Sequence, residues 1–295
     1  MATLYTQQSN NVRRTWLLMA VFLAIIVAIG YFVSYYYNNP AILYFAIIFS
    51  VVMNVTSYWF SDKIALASTG AKEADEKEYL ELHRILENLS ITAGLPKPRL
   101  YIIDDMAPNA FATGRNKEHA AVAVTTGLLQ MLDRNELEGV IAHELAHIGN
   151  RDILLSTVVV VLVGFIAMLS DMFLRMSLFG GRDNDNKGNG ALMILGIVFI
   201  VLSPIIATMI QLAISRKREF LADASGALLT RYPEGLAGAL QKISSYSQPM
   251  QKASNATAHM FISSPFGGKA MKGVAKLFAT HPPVEERINA LIQKR

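Results

Sequence analysis

Hydrophobic residues are concentrated in four long runs that contain few or no charged residues. The runs cover residues 16–36, 41–60, 153–174 and 191–214. Each has about 20 residues, the length that an α-helix needs to cross a hydrocarbon core of about 30 Å. Either of the last two would also suit a buried helix of a soluble protein, but four such runs in one chain favour a membrane. We therefore predict four transmembrane helices in two hairpins. Asp171 lies near the end of the third run, so the position of that end is approximate.

The chain between the second and third runs predicts a small unit of helix and sheet. Residues 71–92 carry apolar positions at helical spacing, and Gly94 and Pro96 follow as helix-ending residues. Three short apolar stretches predict strands: residues 99–103, 109–114 and 120–125. The edge of such a sheet either pairs with an extended peptide or only packs the helices.

The polar stretch at residues 133–136 predicts the start of another helix. Asp133 suits an N-cap, and Glu136 stands three positions later, as in a capping box. The apolar residues that follow recur at helical spacing: Leu137, Val140, Ile141, Leu145 and Ile148. This helix is therefore predicted to carry the sequence HELAH.

His143, Glu144 and His147 form the pattern H-E-x-x-H on that helix. A helix has 3.6 residues per turn, so the two histidines share one face and can hold one zinc ion. The adjacent Glu144 can take a proton from the attacking water, which makes the pattern typical of zinc hydrolases. The pattern alone also occurs by chance in unrelated helices. Its position on a predicted helix favours the catalytic interpretation.

A catalytic zinc site needs a third protein ligand and an open position for water. Downstream residues of suitable chemistry are Glu219, Asp223, His259 and His281. Glu219 and Asp223 lie one turn apart, where the fourth hydrophobic run would return the chain to the membrane surface. We predict Glu219 as the ligand and Asp223 as the acceptor of a histidine ring N–H. Two solvated acids beside basic neighbours remain the alternative at this point.

The composition agrees with a membrane protein, because 52% of the residues are hydrophobic and only 17% are charged. The absence of cysteine excludes disulfides, cysteine-bound zinc and a thiol nucleophile. The net charge is only +4, and the basic residues flank hydrophobic runs rather than forming a nucleic-acid-binding surface. Most lie on one side of the runs, at Arg13, Arg14, Lys63 and residues 216–218, whereas Arg182 and Lys187 fall in the loop on the other side. We predict that the side with most of the basic residues is cytoplasmic and carries both termini and the metal site.

Five stretches resemble, in the same order, the HtpX-type zinc metalloproteases, which are related to the CAAX prenyl protease. They are residues 108–115, 121–128, 143–152, 218–223 and 280–288. The resemblance implies an α+β, mostly helical fold. It would be a polytopic membrane protein with four transmembrane helices and a cytoplasmic zincin-like metalloprotease domain carrying a small β-sheet. Hairpins within residues 1–60 and 153–214 would then anchor a protease domain made of residues 61–152 and 215–295.

The resemblance also implies a function, that of an inner-membrane zinc endopeptidase with one zinc ion per subunit. Its expected substrates are misfolded or damaged membrane proteins or unfolded polypeptides, cut on the cytoplasmic side in quality control and stress response. The resemblance supports Glu219 as the third ligand. It also implies that His281 stabilises the oxyanion, with Arg287 as a positioning partner, although His281 is equally compatible with a turn before two prolines. We expect the peptide to lie extended beside Asn109, Ala110, Phe111 and Ala112, with Arg287 as a further candidate for substrate binding.

Three other functions were compared with this interpretation. An inactive scaffold is disfavoured by Glu144, because a structural zinc site does not need that carboxylate. A small transporter is disfavoured because the hydrophobic runs have almost no polar residues to line a path. A prenyl-peptide protease with a large intramembrane chamber would need more than two hairpins.

The composition of residues 246–279 predicts either a mobile surface loop or a helix on the membrane surface. Such a helix would carry three lysines on one face: Lys269, Lys272 and Lys276.

Overall fold

The computed structural model describes residues 4–179, 216–267 and 282–292. It begins with two long antiparallel helices, α1 (Leu4–Tyr36) and α2 (Pro40–Thr69). Asn39 caps α2, because its side chain accepts a hydrogen bond from the Ala41 amide. Both helices are long and apolar enough to cross a membrane, and only 22% of each most apolar stretch is buried inside the protein. The first two predicted spans are therefore present as a helical hairpin.

The third predicted span corresponds to α6 (Ile153–Phe179). This helix begins directly after the preceding helix, at a bend of 86°. Its described side chains, up to Ile166, are mostly buried against the first hairpin rather than exposed. Within the described residues, α6 counts towards a third span only if it is joined with the helix before the bend. The fourth predicted span, at residues 191–214, lies outside the described residues.

One face of α2 is polar but buried. Its members are spaced one to two turns apart: Ser50, Asn54, Ser57 and Ser61. The Ser50 and Ser57 hydroxyls donate to carbonyls within α2, to Ile47 and Asn54. Small residues at a helix interface allow close backbone approach in a membrane. In the described part of the chain, α2 packs against α1 and α6, and its small serines suit such close packing.

Short helices and four strands make up the rest of the described chain. The first half contains β1 (Lys72–Glu73), α3 (Leu80–Ala93), β2 (Arg99–Ile103), β3 (Ala110–Gly114), β4 (Ala120–Thr125), α4 (Thr126–Met131) and α5 (Arg134–Gly149). The second half contains α7 (Arg216–Thr230), α8 (Pro233–Ser245) and α9 (Val284–Ile292). Single 3-10 turns cover Lys117–His119 and Ala258–Met260. Residues 268–281, which include the three lysines noted above, lie outside the described residues.

The predicted strands are confirmed, whereas the first soluble helix is shorter than predicted. It begins at Leu80 instead of residue 71, because Lys72 and Glu73 pair with β2 as a short strand. Its end is as predicted, since Gly94 adopts a left-handed conformation with φ of 65° and closes the helix. Local periodicity alone does not reveal such a pairing between distant parts of the chain.

The four strands form one mixed sheet in the order β1-β2-β4-β3. β2 and β4 are parallel, and β3 pairs antiparallel with β4 at one edge. All residues of β4 are buried because both faces of the sheet are covered. One face packs on α3, α5 and α8, and the other packs on the end of α2 and on Phe261. The sheet thus joins the membrane hairpin to the helix that carries H-E-x-x-H.

Candidate metal centre

The helix that carries H-E-x-x-H is fixed at its start by the predicted capping box. The Asp133 carboxylate accepts from the Glu136 amide at 3.0 Å, and the Glu136 carboxylate accepts from the Asp133 amide at 2.9 Å. Lys242 of α8 also contacts Glu136, at 2.6 Å. From this start, α5 runs through the core, so His143 and Glu144 are almost fully buried.

A second helix, α7, brings the downstream acids to the same place. Glu219, Asp223 and Gly226 lie on one face of α7 because they are four and three residues apart. A side chain at Gly226 would meet the backbone of His143, with a β-carbon only 3.0 Å from its amide nitrogen. Glycine therefore allows α7 to pack directly against α5. This contact places Glu219 and Asp223 beside His143.

Three potential ligand atoms converge between the two helices. The Nε2 atoms of His143 and His147 are 3.1 Å apart. A Glu219 carboxylate oxygen lies 3.9 Å from His143 Nε2, and the other lies 3.6 Å from His147 Nε2. Tetrahedral zinc with bonds of about 2.0 to 2.1 Å requires ligand atoms about 3.4 Å apart. The observed spacing therefore fits a zinc-sized ion bound by two imidazoles and one carboxylate.

Each histidine also has its own carboxylate at the opposite ring nitrogen. His143 Nδ1 lies 2.9 Å from Asp223, the partner that the sequence predicts for a ligating histidine. His147 Nδ1 lies 3.1 Å from Asp152, which the sequence analysis did not identify. A carboxylate at Nδ1 fixes the tautomer whose Nε2 lone pair is free for a metal. The sequence signals for Asp152 were its place in the turn just after α5 and its position at the end of the stretch 143–152, which resembles the family.

Arg287 of α9 holds the carboxylate that faces His143. It is fully buried and holds Asp223 with two hydrogen bonds, from Nε at 2.8 Å and from Nη2 at 2.6 Å. A third nitrogen donates to the Ile262 carbonyl at 3.2 Å. Burial alone would raise the pKa of Asp223, but the hydrogen bonds from Arg287 and His143 lower it. The buried position of Arg287 identifies it as a clamp on Asp223.

Glu144 is buried beside the ligand atoms without belonging to them. Burial raises the pKa of Glu144 to about 7, and the nearby charge of Glu219 acts in the same direction. His147, the Ala112 backbone amide and Arg287 oppose this shift. A carboxylate with a pKa near neutrality is well suited to accept and return a proton.

The electrostatics of His147 also indicate a cation site. Burial disfavours its charged form, but the carboxylates of Asp152, Glu219 and Glu144 raise the pKa of His147 to about 10. The carboxylates of Glu144, Asp152, Glu219 and Asp223 around the two imidazoles therefore favour a positive charge between them. A metal ion supplies that charge in place of the ring proton.

The cavity at this centre is small. It has a volume of about 30 Å³, and its lining includes the three potential ligand residues, Glu144, Ala112 and residues 259–262. Since one water needs about 10 to 15 Å³, the cavity has room for an ion and about one water but not for a peptide. His259, one of the candidate ligands in the sequence, lies in this lining, and so does Arg218, which the sequence did not single out.

Residues 258–263, called here the strap, form the wall opposite α5. The Ile262 amide donates to the Ala110 carbonyl at 2.9 Å, so the strap pairs with the outer edge of β3. Asn109 holds Ser263 in both directions, donating to its carbonyl at 3.0 Å and accepting from its amide at 3.2 Å. The Phe261 ring packs edge-on against Phe111, with ring centroids 5.1 Å apart. The strap was not anticipated by the sequence analysis.

The structure therefore separates the predicted site residues into three groups. Those brought together around the centre are His143, Glu144, His147, Glu219, Asp223 and Arg287. Of the predicted peptide-binding residues on or beside β3, Ala112 lines the cavity, Asn109 and Ala110 are engaged by the strap, and Phe111 is fully buried. His281 lies outside the described residues.

Comparison with known proteins gives a consistent set of similarities. Residues 76–295 match the sequence profile of Peptidase family M48. A protein named Protease HtpX homolog from Thermoanaerobacter pseudethanolicus is 53% identical over 296 residues, which covers 98% of this chain and 97% of that one. Another of that name from Pyrococcus furiosus is 49% identical over 280 residues, 94% of each chain. The crystal structure of S. mikatae Ste24p is similar in fold alone, with a TM-score of 0.51 at 17% identity over 96% of this chain and 66% of that one.

Proposed function

The chain belongs to peptidase family M48, and from this we propose that it is a membrane-anchored zinc endopeptidase acting on misfolded or damaged membrane proteins. Membership confirms the resemblance found in the sequence and makes the chain a metalloprotease. Its two apolar helices and its similarity to HtpX proteins make it a membrane protein. The proposal goes further in naming the metal ligands, the proton carrier, the peptide site and the substrates.

We propose His143, His147 and Glu219 as the ligands of one zinc ion per subunit. The observation that supports this assignment most strongly is the convergence of their ligand atoms at 3.1 to 3.9 Å. Imidazole and carboxylate ligands suit zinc. Asp223 and Asp152 would keep the two rings in the tautomer that binds metal, and Arg287 would hold Asp223. A zinc ion bound there would acidify a water towards a pKa of about 7 and polarise the scissile carbonyl.

Glu144 is the proposed proton carrier. Its carboxylate takes a proton from the attacking water and returns it to the leaving amine. The raised pKa of about 7 supports this role, because the group can then be unprotonated before attack and protonated after it. The proposed role of His281 is to donate a hydrogen bond to the oxyanion that forms at the scissile carbonyl.

The proposed peptide site is the outer edge of β3, where an extended chain would lie beside Asn109, Ala110, Phe111 and Ala112. Ala112 lines the cavity, which supports this position. The strap now occupies the Ala110 end of the edge, through the hydrogen bond from Ile262. A peptide must therefore displace the strap in order to pair with the edge. Extended, unfolded segments suit such pairing because they offer free backbone groups.

The remaining parts of the proposal concern topology. Four membrane spans, with hairpins in residues 1–60 and 153–214, would carry a protease domain formed from residues 61–152 and 215–295. The basic residues on one side support a cytoplasmic active site and cytoplasmic termini in the inner membrane. Substrates would then be misfolded or damaged membrane proteins, cut in quality control and stress response. The α5–α6 bend lies only three residues beyond His147 in sequence, at Asn150, which supports a site close to the membrane surface.

Cleavage of casein by the detergent-purified, zinc-loaded protein tests the proposal. The control is Glu144→Gln, which keeps the size of the side chain, with its zinc content measured. The proposal predicts that wild type cuts casein and that Glu144→Gln binds zinc without cutting. If both proteins bind zinc and neither cuts casein, a scaffold or a protease restricted to a narrow substrate becomes the better explanation.

A further inference from the structure

The N-terminal helix, α1, contacts the end of α5 through two side-chain amides. Gln8 Nε2 donates to the Gly149 carbonyl at 2.7 Å, and Asn11 Nδ2 donates to the Asn150 carbonyl at 3.1 Å. The last carbonyls of an α-helix have no partner within the helix, and Gly149 is the last residue of α5. Gln8 and Asn11 are three residues apart, so they share the face of α1 that meets α5. The N-terminal helix thus caps the helix that holds both histidines.

The turn that follows these carbonyls leads to the carboxylate behind His147. Arg151 adopts a left-handed conformation with φ of 57°, which is uncommon for a residue with a side chain. The Asp152 amide then donates back to the His147 carbonyl at 3.3 Å. This closed turn places the buried Asp152 carboxylate 3.1 Å from His147 Nδ1. The position of the Asn150 carbonyl and that of Asp152 are therefore coupled through only two residues.

Asp152 in turn orients the ring that faces the metal position. With Nδ1 held by Asp152, the Nε2 atom of His147 points towards Glu219, at 3.6 Å, and towards His143, at 3.1 Å. A small displacement of Asp152 would rotate the ring away from this convergence, because Asp152 is the one polar partner of His147 Nδ1 among the described residues. Orientation of a ligating imidazole by its carboxylate partner is a strong determinant of metal affinity.

We propose that Asn11, assisted by Gln8, is a positioning residue for the metal site and acts through the 149–152 turn and Asp152. The N-terminal helix is then a part of the active site as well as a membrane anchor. Asn11 is suited to this role because it is only 4% exposed. It is a polar residue at the edge of a hydrophobic run, and its buried amide is used in the hydrogen bond to Asn150. The neighbouring Asn10, by contrast, is exposed. This inference rests on the metal assignment proposed above.

Zinc affinity of the full chain in detergent, measured by competition with a chromophoric chelator, tests the inference. Asn11→Leu keeps most of the side-chain volume and removes the donor, and Asn10→Leu is the matched control. We expect Asn11→Leu to weaken zinc binding roughly 3- to 10-fold, less than the about 10- to 100-fold typical of a partner bonded directly to a ligand. Asn10→Leu should change the affinity by less than about 2-fold. Gln8→Leu, a milder change, should weaken binding in the same direction and covers the case in which Asn11→Leu fails to fold.

A double-variant cycle distinguishes positioning from general destabilisation. In an Asp152→Ala background the contact with His147 Nδ1 is absent and the path from Asn11 to His147 is already broken, so Asn11→Leu should have little further effect on zinc affinity. An equal loss in both backgrounds, or wild-type affinity in Asn11→Leu, would overturn the inference while leaving the metal assignment intact. Failure of the wild-type protein to bind one zinc ion would refute the metal assignment and this inference together.

Discussion

Replacing Arg287 with leucine removes the cation that compensates the buried Asp223. The variant loses two hydrogen bonds to Asp223, at 2.8 and 2.6 Å, one to the Ile262 carbonyl, at 3.2 Å, and a longer contact with His143 Nε2, at 3.5 Å. The same guanidinium lies 3.6 Å from Glu219. Neither carboxylate can regain water at this site, because Asp223 is 2% exposed and Arg287 is fully buried.

The expected loss of stability is large because one member of a buried ion pair is left without the other. Such changes typically cost about 3–5 kcal/mol, out of a total stability of roughly 5–15 kcal/mol for a folded domain. For a chain of this size, that corresponds to a decrease of roughly 6–20 °C in Tm. Adding Asp223→Asn removes the uncompensated charge, so the double variant should recover roughly 1–3 kcal/mol of coupling.

Thermal unfolding of the chelator-treated protein in detergent, followed by intrinsic fluorescence, measures this effect without the contribution of a metal. Arg84→Leu is the control, since Arg84 is an exposed arginine of α3 and its change should stay within about 0.5 kcal/mol. The reasoning would be refuted if Arg287→Leu unfolded within about 1 kcal/mol of wild type and instead raised KM for casein. That result would assign Arg287 to substrate binding.

Three further predictions follow from the site. Asp152→Asn should weaken zinc binding about 10- to 100-fold, because the ring of His147 loses its charged partner; chelator competition measures this, and an unchanged affinity would contradict the role of Asp152. Removing zinc with a chelator should lower Tm, and restoring zinc to about 100 times its Kd should return about 2.7 kcal/mol; a Tm that ignores zinc would argue against a site in the folded core. Because the chain has no cysteine, Asn109→Cys with Ser263→Cys allows one disulfide between the residue before β3 and the strap. The oxidised protein should lose casein cleavage about 10-fold or more, because the strap can no longer leave the edge that a peptide must pair with, and a reductant should restore cleavage. Full activity of the oxidised protein would show that peptides do not displace the strap.

The sequence predicts those parts of the fold that depend on neighbouring residues. The first two spans, the three longer strands and the capped start of α5 follow from composition, alternation and the pair Asp133 and Glu136. The start of α3 is mispredicted because Lys72 and Glu73 join a strand that lies far along the chain. Contacts across long sequence separations leave no mark on local periodicity.

The same distinction applies to the site. His143, Glu144 and His147 are recognisable because their spacing matches one helical turn. The spacing of Glu219 and Asp223 made them candidates only, and the family resemblance added support for Glu219. Spacing alone could not decide because the approach of α7 to α5 depends on packing at Gly226. Three contacts join parts of the site that local spacing does not relate: Asp152 with His147, the strap with β3, and Asn11 with Asn150. Each depends on how the folded chain brings separate segments together, so no spacing rule identifies it.

Zinc K-edge X-ray absorption of the purified protein, beside Glu219→Gln, tests the central claim most directly. For wild type the account predicts one zinc ion with two imidazole ligands and oxygen ligands, at about 2.0 to 2.1 Å. Glu219→Gln should lose the metal or show a changed oxygen shell while keeping the imidazole signal. A zinc site with more than two imidazoles, or a spectrum unchanged by Glu219→Gln, would contradict the assignment of His143, His147 and Glu219.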